Sequence, residues 1–170
     1  MTQIQRKPFL SILSVLGLSL LFLFIGNQHV NAQSNSARQV AIESAHAFTG
    51  AKANKKYYKV VYQLNTDDPK VISGALRNIS NALKDPRLKG KLKVELVAYS
   101  GGWEVFNKDN DYTEKLLELK KKGVILAQCR NTLEERNIDR SQILPFVSIV
   151  PSGNGELIIR QAQGWAIVKP

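Results

Sequence analysis

Apolar residues recur with two different spacings along the chain from Tyr57 to Pro170. Short runs of β-branched and aromatic residues are typical of strands, whereas apolar positions three and four apart are typical of amphipathic helices. The pattern predicts five strands, near residues 58–64, 92–99, 124–127, 146–150 and 165–168, with a helical crossover in each interval. This alternation predicts an α/β fold with a five-stranded, mainly parallel sheet and helices on both faces. It does not predict the order of the strands.

The first part of the chain has the pattern of a targeting segment. Two basic residues precede an uncharged apolar run from Phe9 to Ile25, and a short polar stretch then leads to Ala32. This order of features predicts a signal peptide over residues 1–32 and an exported protein, periplasmic or secreted, that is not stably inserted in a membrane after cleavage. The alternative is an uncleaved membrane anchor, since the run approaches the length of a spanning helix.

Two further regions follow the targeting segment. Residues 33–56 are rich in Ala, Ser, Asn and Gln and are predicted to be a flexible arm, although Ala41, Ala45 and Phe48 have the spacing of a weak amphipathic helix. Residues 57–170 form the predicted folded domain.

The chain is strongly basic, with a formal net charge of +10. The lysines cluster around residues 52–59, 84–93 and 120–122. One interpretation is attraction to an anionic partner such as a lipid surface or an acidic protein, and the other is an ordinary solvated surface. Nucleic acid is not expected as a partner, because aromatic residues are not interleaved with these lysines and the chain is predicted to be exported.

Cysteine and histidine are scarce. Cys129 is the single cysteine, so an intramolecular disulfide is excluded. His29 and His46 both precede the predicted domain. Serine–histidine and cysteine–histidine hydrolase machinery is therefore excluded within the domain, as are imidazole-rich metal sites, and neither a metal nor a cofactor is predicted.

Small and polar residues follow the predicted strands. Ligands bind outside the carboxyl ends of the strands in an open parallel sheet. The candidate binding residues at these ends are Asn65, Ser100, Gly101, Gly102, Arg130, Asn131, Thr132, Ser152 and Gly153. The glycines are interpreted either as an anion-binding nest or as plain turn residues, and their spacing matches no nucleotide-binding fingerprint.

Cys129 is the candidate reactive residue. It directly precedes a predicted helix start and adjoins Arg130, and both features favour a thiolate. The alternative is a small buried apolar residue that ends a strand.

Three segments carry a family resemblance. The run from Gly123 to Thr132 with the cysteine, the Val150-Pro151-Ser152-Gly153 turn and the Gln161–Ala166 segment resemble the DsrE/DsrF-like family, most closely its exported, uncharacterised branch. The resemblance implies a three-layer α/β/α domain that assembles into small homo-oligomers. It also implies that Cys129 carries a persulfide during sulfur transfer, with a sulfur donor or acceptor protein as partner.

Three hypotheses follow for function. The first is a persulfide carrier or sulfurtransferase-like protein that acts through Cys129, and the residues do not decide whether this makes the chain an enzyme. The second is a non-catalytic module that binds a small anion or a protein at the same strand ends. The third is a thiol redox sensor that forms an intermolecular disulfide.

Overall fold

The computed structural model describes residues 34–170, which divide into two units between Ala51 and Lys52. The predicted signal peptide lies outside the described residues. In the first unit, residues 34–47 form helix α1, so part of the predicted arm is helical, and the side chains of α1 are exposed. No helix among the described residues combines the length and apolarity needed to cross a membrane.

The second unit contains five strands and four helices in strict alternation. The strands are Tyr58–Leu64 (β1), Leu92–Ala98 (β2), Ile125–Cys129 (β3), Ser148–Val150 (β4) and Ala166–Val168 (β5). The helices are Pro69–Lys84 (α2), Thr113–Lys121 (α3), Arg130–Glu135 (α4) and Gly153–Ala162 (α5), with 3-10 turns at Ser100–Phe106 and Arg140–Gln142. All strand pairs are parallel, in the order β4-β3-β2-β1-β5. The predicted α/β fold is confirmed.

Alternating side chains of the strands separate the core into two layers. One face of the sheet packs Leu64, Leu96 and Leu126 against apolar residues of α2, α3 and α4. The other face packs its apolar residues against Leu157 of α5 and against Trp165. The sheet therefore lies between three helices and one helix, which is a three-layer α/β/α arrangement.

The strand order opens a crevice between β3 and β4. The chain steps from β1 to β4 in one direction, and α5 then crosses the sheet to place β5 on the other side of β1. Helices α4 and α5 consequently leave neighbouring strands towards opposite faces of the sheet. A ligand crevice is expected where adjacent connections diverge in this way. We call the edge where the strands end the carboxyl edge.

A buried ionic cluster fills part of the face beneath α5. Glu95 of β2 is only 1% exposed, and its Oε2 lies 2.6 Å from Nε of Arg160, although the N–H is not aligned as a hydrogen bond. Arg160 also pairs with Glu156 at 2.8 Å and stacks 4.5 Å above the Trp165 ring. Burial raises the pKa of Glu95, and the charge of Arg160 opposes that rise. Arg160 is therefore the counter-ion that keeps a carboxylate tolerable inside the sheet layer.

Arg160→Met is expected to destabilise the domain by about 3 kcal/mol near neutral pH, because Glu95 then lacks its cation. Because the pKa of Glu95 is raised, the folded chain keeps a proton that the unfolded chain releases. The free energy of unfolding therefore falls as the pH rises above the pKa of this carboxyl group in the unfolded chain, near 4.5. The loss should be larger near neutral pH than near pH ~4, where Glu95 is protonated. Urea unfolding at both pH values measures this.

The double variant Glu95→Gln/Arg160→Met is the control for the ionic cluster. It removes the buried charge together with its partner, so most of the lost stability should return and the pH dependence of the single variant should disappear. An equal loss at both pH values in Arg160→Met would mean that packing on Trp165, and not charge, is the contribution of Arg160.

Candidate functional site

A pocket of about 300 Å³ lies at the carboxyl edge, where β2, β3 and β4 end. Eight residues line it, and they are Tyr99, Ser100, Cys129, Asn131, Thr132, Glu135, Ser152 and Asn154. Hydroxyl, amide, carboxyl and thiol groups thus surround a space that would fit a small polar molecule. The pocket occupies the crevice that the diverging helices open.

Cys129 is the last residue of β3 and the residue that caps α4. It is 4% exposed and has no disulfide partner. Alternation along β3 places its side chain on the same face of the sheet as Ala127, which packs beneath α5. Because the thiol is almost covered yet lines the pocket, the pocket is its route to small reagents.

Two hydrogen bonds from main-chain N–H groups hold the three strand ends together around the pocket. The Ser100 N–H donates to Oγ1 of Thr132 at 2.9 Å, which joins the loop after β2 to α4. The Asn131 N–H donates to the carbonyl of Pro151 at 3.4 Å, which joins α4 to the end of β4. Ser100 has a φ of 49°, an uncommon conformation for a residue other than glycine. The hydroxyl group of Thr132 therefore fixes the main chain at Ser100, which forms part of the pocket wall.

Thr132→Val should cost about 1–2 kcal/mol of stability, because it leaves the Ser100 N–H without its acceptor at nearly constant side-chain volume. Hydrogen exchange at the Ser100 amide should become faster in this variant. Thr132→Ser keeps the hydroxyl and serves as the matched control. Unchanged Ser100 exchange in Thr132→Val would show that the hydrogen bond does not hold the loop.

Ser152 and Gly153 start α5 beside the pocket. The Ser152 hydroxyl accepts a hydrogen bond from the Gly155 N–H at 3.2 Å and thereby caps the helix. A Cβ on Gly153 would lie 2.9 Å from Cβ of Tyr99, so the helix start packs directly on that tyrosine. Gly153 contributes close packing, and Ser152 contributes a hydroxyl group to the lining.

Gly101 and Gly102 lie behind the pocket wall and do not line it. Both are buried, and a Cβ on either would press on the backbone between Leu64 and Asp67. Asn65 belongs to this backbone segment, is exposed and does not line the pocket. These three predicted residues therefore support the loop after β2 from outside the pocket.

Arg130 lies apart from the thiol pocket. Its side chain lines a second cavity, of about 660 Å³, together with Leu133, Ile138 and Arg140. Among the predicted residues, the structure brings Ser100, Asn131, Thr132 and Ser152 together with Cys129 in one pocket. Whether these residues bind a ligand stays a prediction.

The sequence analysis missed three lining residues, Tyr99, Glu135 and Asn154. Two had a detectable signal. Glu135 follows Asn131 by four residues on α4, and this spacing places both on one helix face. Asn154 lies between the two glycines that follow Ser152. Tyr99 had no comparable signal, because its contact with Gly153 joins segments that are distant in sequence.

Metal binding finds no support in the described part of the chain. No group of three or more His, Cys, Asp or Glu side chains lies close enough together there to hold an ion. The pocket itself offers one thiol, one carboxylate, hydroxyls and amides. This set of groups suits a nucleophile among hydrogen-bonding neighbours, one of which is the carboxylate of Glu135.

The fold and the pocket define an open parallel α/β domain with a single cysteine in the crevice between β3 and β4. The DsrE/DsrF-like family model matches residues 19–170, and the chain belongs to this family, which is associated with sulfur relay. No curated protein matches the chain.

Three solved structures share this fold. MTH1491 of Methanobacterium thermoautotrophicum, a protein of unknown function, is 34% identical with a TM-score of 0.63, over 66% of this chain and 99% of its own. BT1422 of Bacteroides thetaiotaomicron, also of unknown function, is 14% identical with a TM-score of 0.56, over 71% of this chain and 100% of its own. The ychN protein of E. coli is 14% identical with a TM-score of 0.54, over 68% of this chain and 100% of its own. At 14% identity the last two show likeness of fold alone.

Proposed function

We propose that the protein is a sulfur carrier in which Cys129 accepts and donates a sulfane sulfur as a persulfide. The observation that carries the proposal is the position of the single cysteine, which lines a polar pocket in the crevice between β3 and β4. Membership of a family associated with sulfur relay agrees with it.

The transfer needs no redox cofactor. The Cys129 thiolate attacks the outer sulfur of a donor persulfide, a new S–S bond forms on Cys129, and the donor leaves as a thiolate. With thiosulfate as donor, the leaving group is sulfite. An acceptor thiolate then attacks the outer sulfur of Cys129–S–SH, takes that sulfur and restores the Cys129 thiolate.

The pocket suits this chemistry in size and polarity. A space of about 300 Å³ admits a small inorganic sulfur compound or the tip of a partner's cysteine side chain. Hydroxyl groups of Ser100 and Ser152 and side-chain amides of Asn131 and Asn154 supply donors for an anionic outer sulfur. Burial of Cys129 would keep bulkier thiols from stripping the persulfide.

The same burial disfavours a redox sensor. A disulfide between two copies needs Cβ atoms about 3.5–4.5 Å apart. A thiol that is 4% exposed in the lining of a pocket cannot approach its equivalent in a second copy without movement of the walls. Transfer to a small molecule or to a protruding side chain requires no such movement.

The compartment and the assembly belong to the same proposal. The charge and hydropathy pattern of residues 1–32 supports export, and family membership supports a homo-oligomer. The sulfur partner would then be a periplasmic or secreted donor or acceptor.

Mass spectrometry tests the proposal directly. The purified chain is incubated with thiosulfate or polysulfide, and the peptide that contains Cys129 is examined before and after reduction. A gain of one sulfur, about 32 Da, that reduction removes is the expected result. Absence of the adduct on a thiol that iodoacetamide alkylates normally would contradict the carrier function.

A further inference from the structure

The edge of the sheet opposite the thiol pocket carries most of the positive charge of the domain. In a parallel sheet, the strand starts and the helix ends meet at one edge, which we call the amino edge. Eleven basic residues lie there: Lys55, Lys56, Lys59, Lys84, Arg87, Lys89, Lys91, Lys93, Lys120, Lys121 and Lys122. All but the half-buried Lys91 are exposed.

Strand register brings these separate runs into one continuous patch. Lys59 of β1 lies beside Lys93 of β2, and Nζ of Lys93 lies 5.4 Å from the centre of the Tyr57 ring. Nζ of Lys56 lies 5.5 Å from the same ring. Ile125, the first residue of β3, pairs with Glu95, which lies two residues after Lys93 on β2. The end of α3 comes just before β3 in the chain and therefore adjoins the same patch. Three lysine clusters that are distant in sequence therefore form one surface.

Little negative charge balances the amino edge. Asp85 pairs with Arg87, and Glu118 pairs with Lys122 and with Lys115. The other nine basic residues have no acidic side chain within ion-pair distance among residues 34–170. Mutual repulsion of these charges favours an external anionic surface.

The carboxyl edge has the opposite balance. Eight acidic residues lie in its loops, at its helix starts or at the end of the short helix α4, which stays at this edge because Glu135 lines the thiol pocket: Asp67, Asp68, Glu104, Asp109, Asp111, Glu114, Glu134 and Glu135. Six basic residues accompany them, and these are Lys70, Lys108, Lys115, Arg130, Arg136 and Lys169. The domain is thus strongly positive at one edge and only weakly negative at the edge that holds Cys129, and this difference would orient it on a charged plane.

We propose that the amino edge docks on an anionic phospholipid bilayer and leaves the Cys129 pocket facing solution. Ten of its eleven basic residues are lysines, which attract a lipid surface as point charges, whereas arginine is favoured for bidentate recognition of single phosphates. Tyr57 is 49% exposed between two of the lysines, and Ile125 is 39% exposed at the start of β3. An aromatic ring and an aliphatic side chain among lysines suit the headgroup region of a bilayer.

Vesicle flotation of the full chain tests the docking. The chain's affinity is measured for vesicles of phosphatidylcholine with phosphatidylglycerol and for vesicles of phosphatidylcholine alone. The ratio of the two affinities reports the effect of headgroup charge, because the apolar run contributes equally to both. The ratio should fall with added salt. The triple variant Lys55→Gln, Lys89→Gln, Lys121→Gln should lower it about a hundredfold, at about fivefold for each lysine.

A triple variant at the carboxyl edge is the matched control. Lys70→Gln, Lys108→Gln, Lys169→Gln removes the same charge and should leave the ratio unchanged. Lysine acetylation on anionic vesicles should spare Lys55, Lys89 and Lys121 while Lys70 and Lys108 react. Equal losses in both triples, or no preference for anionic vesicles, would overturn the proposal. Binding to polyglutamate or single-stranded DNA without vesicle binding would assign the patch to an acidic macromolecule instead.

Discussion

Cys129→Ser is expected to abolish sulfur transfer completely. Serine cannot form a persulfide, and no other cysteine in the chain can replace the thiol. The measurement is the transfer of labelled sulfane sulfur from thiosulfate to an acceptor thiol, with the mass of the Cys129 peptide as a second readout. Wild type should carry one removable sulfur, and the variant should carry none.

Two controls separate loss of chemistry from loss of structure. Cys129 is 4% exposed, so a buried hydroxyl without a guaranteed partner costs about 1–3 kcal/mol, and Cys129→Ala removes this cost while remaining inactive. The double variant Cys129→Ser/Ser148→Cys moves the single thiol to an exposed position on β4. That thiol should alkylate readily but should not sustain transfer, because it lies outside the pocket.

The opposite result would identify a different role. If Cys129→Ser keeps its ligand affinity and wild type carries no sulfur, the pocket is a binding site for a small anion or a protein segment. If the relocated thiol of the double variant transfers sulfur as well as wild type, the pocket contributes nothing to the chemistry.

The strands and helices were predictable because the residues that each element buries recur at a regular spacing in the sequence. The five strands and four helices of the second unit all appear at their predicted places. The sequence pattern predicts the last helix from Glu156 to Gln163, but α5 begins three residues earlier, at Gly153. Ser152 caps the helix and Gly153 packs on Tyr99, so two glycines are tolerated in its first turn. The strand order was not predictable, because the apolar residues of a strand do not determine which strands pair with it in the sheet.

The pocket was predictable as far as it depends on strand ends. Cys129, Ser100, Thr132 and Ser152 meet because the carboxyl ends of parallel strands share one edge. Arg130 was grouped with Cys129 by adjacency in sequence. Consecutive residues of a helix point about 100° apart, and Arg130 therefore lines the other cavity while Asn131 lines the thiol pocket.

Gly102→Ala is expected to have the largest effect on stability, a loss of about 3 kcal/mol or more. A Cβ at this position would overlap the carbonyl oxygen of Leu64 and lie 2.6 Å from its carbonyl carbon. Because the clashing atoms belong to the backbone of Leu64, no change of side-chain rotamer can relieve the overlap. The Leu64 carbonyl is also fixed, because it accepts the Tyr99 N–H at 3.0 Å. The loop after β2 must therefore shift away from the end of β1.

This shift couples stability to the proposed function. The displaced loop carries Tyr99 and Ser100, which line the thiol pocket, so alkylation of Cys129 by small reagents should change together with the unfolding midpoint. Gly74→Ala in α2 is the matched control, since the nearest atom to its Cβ would be Nη2 of Arg77 at 3.9 Å. That variant should gain about 0.5–1 kcal/mol, as alanine does over glycine within a helix. Urea unfolding compares the two variants, and a Gly102→Ala chain as stable as wild type would mean that the loop yields freely and does not hold the pocket wall in place.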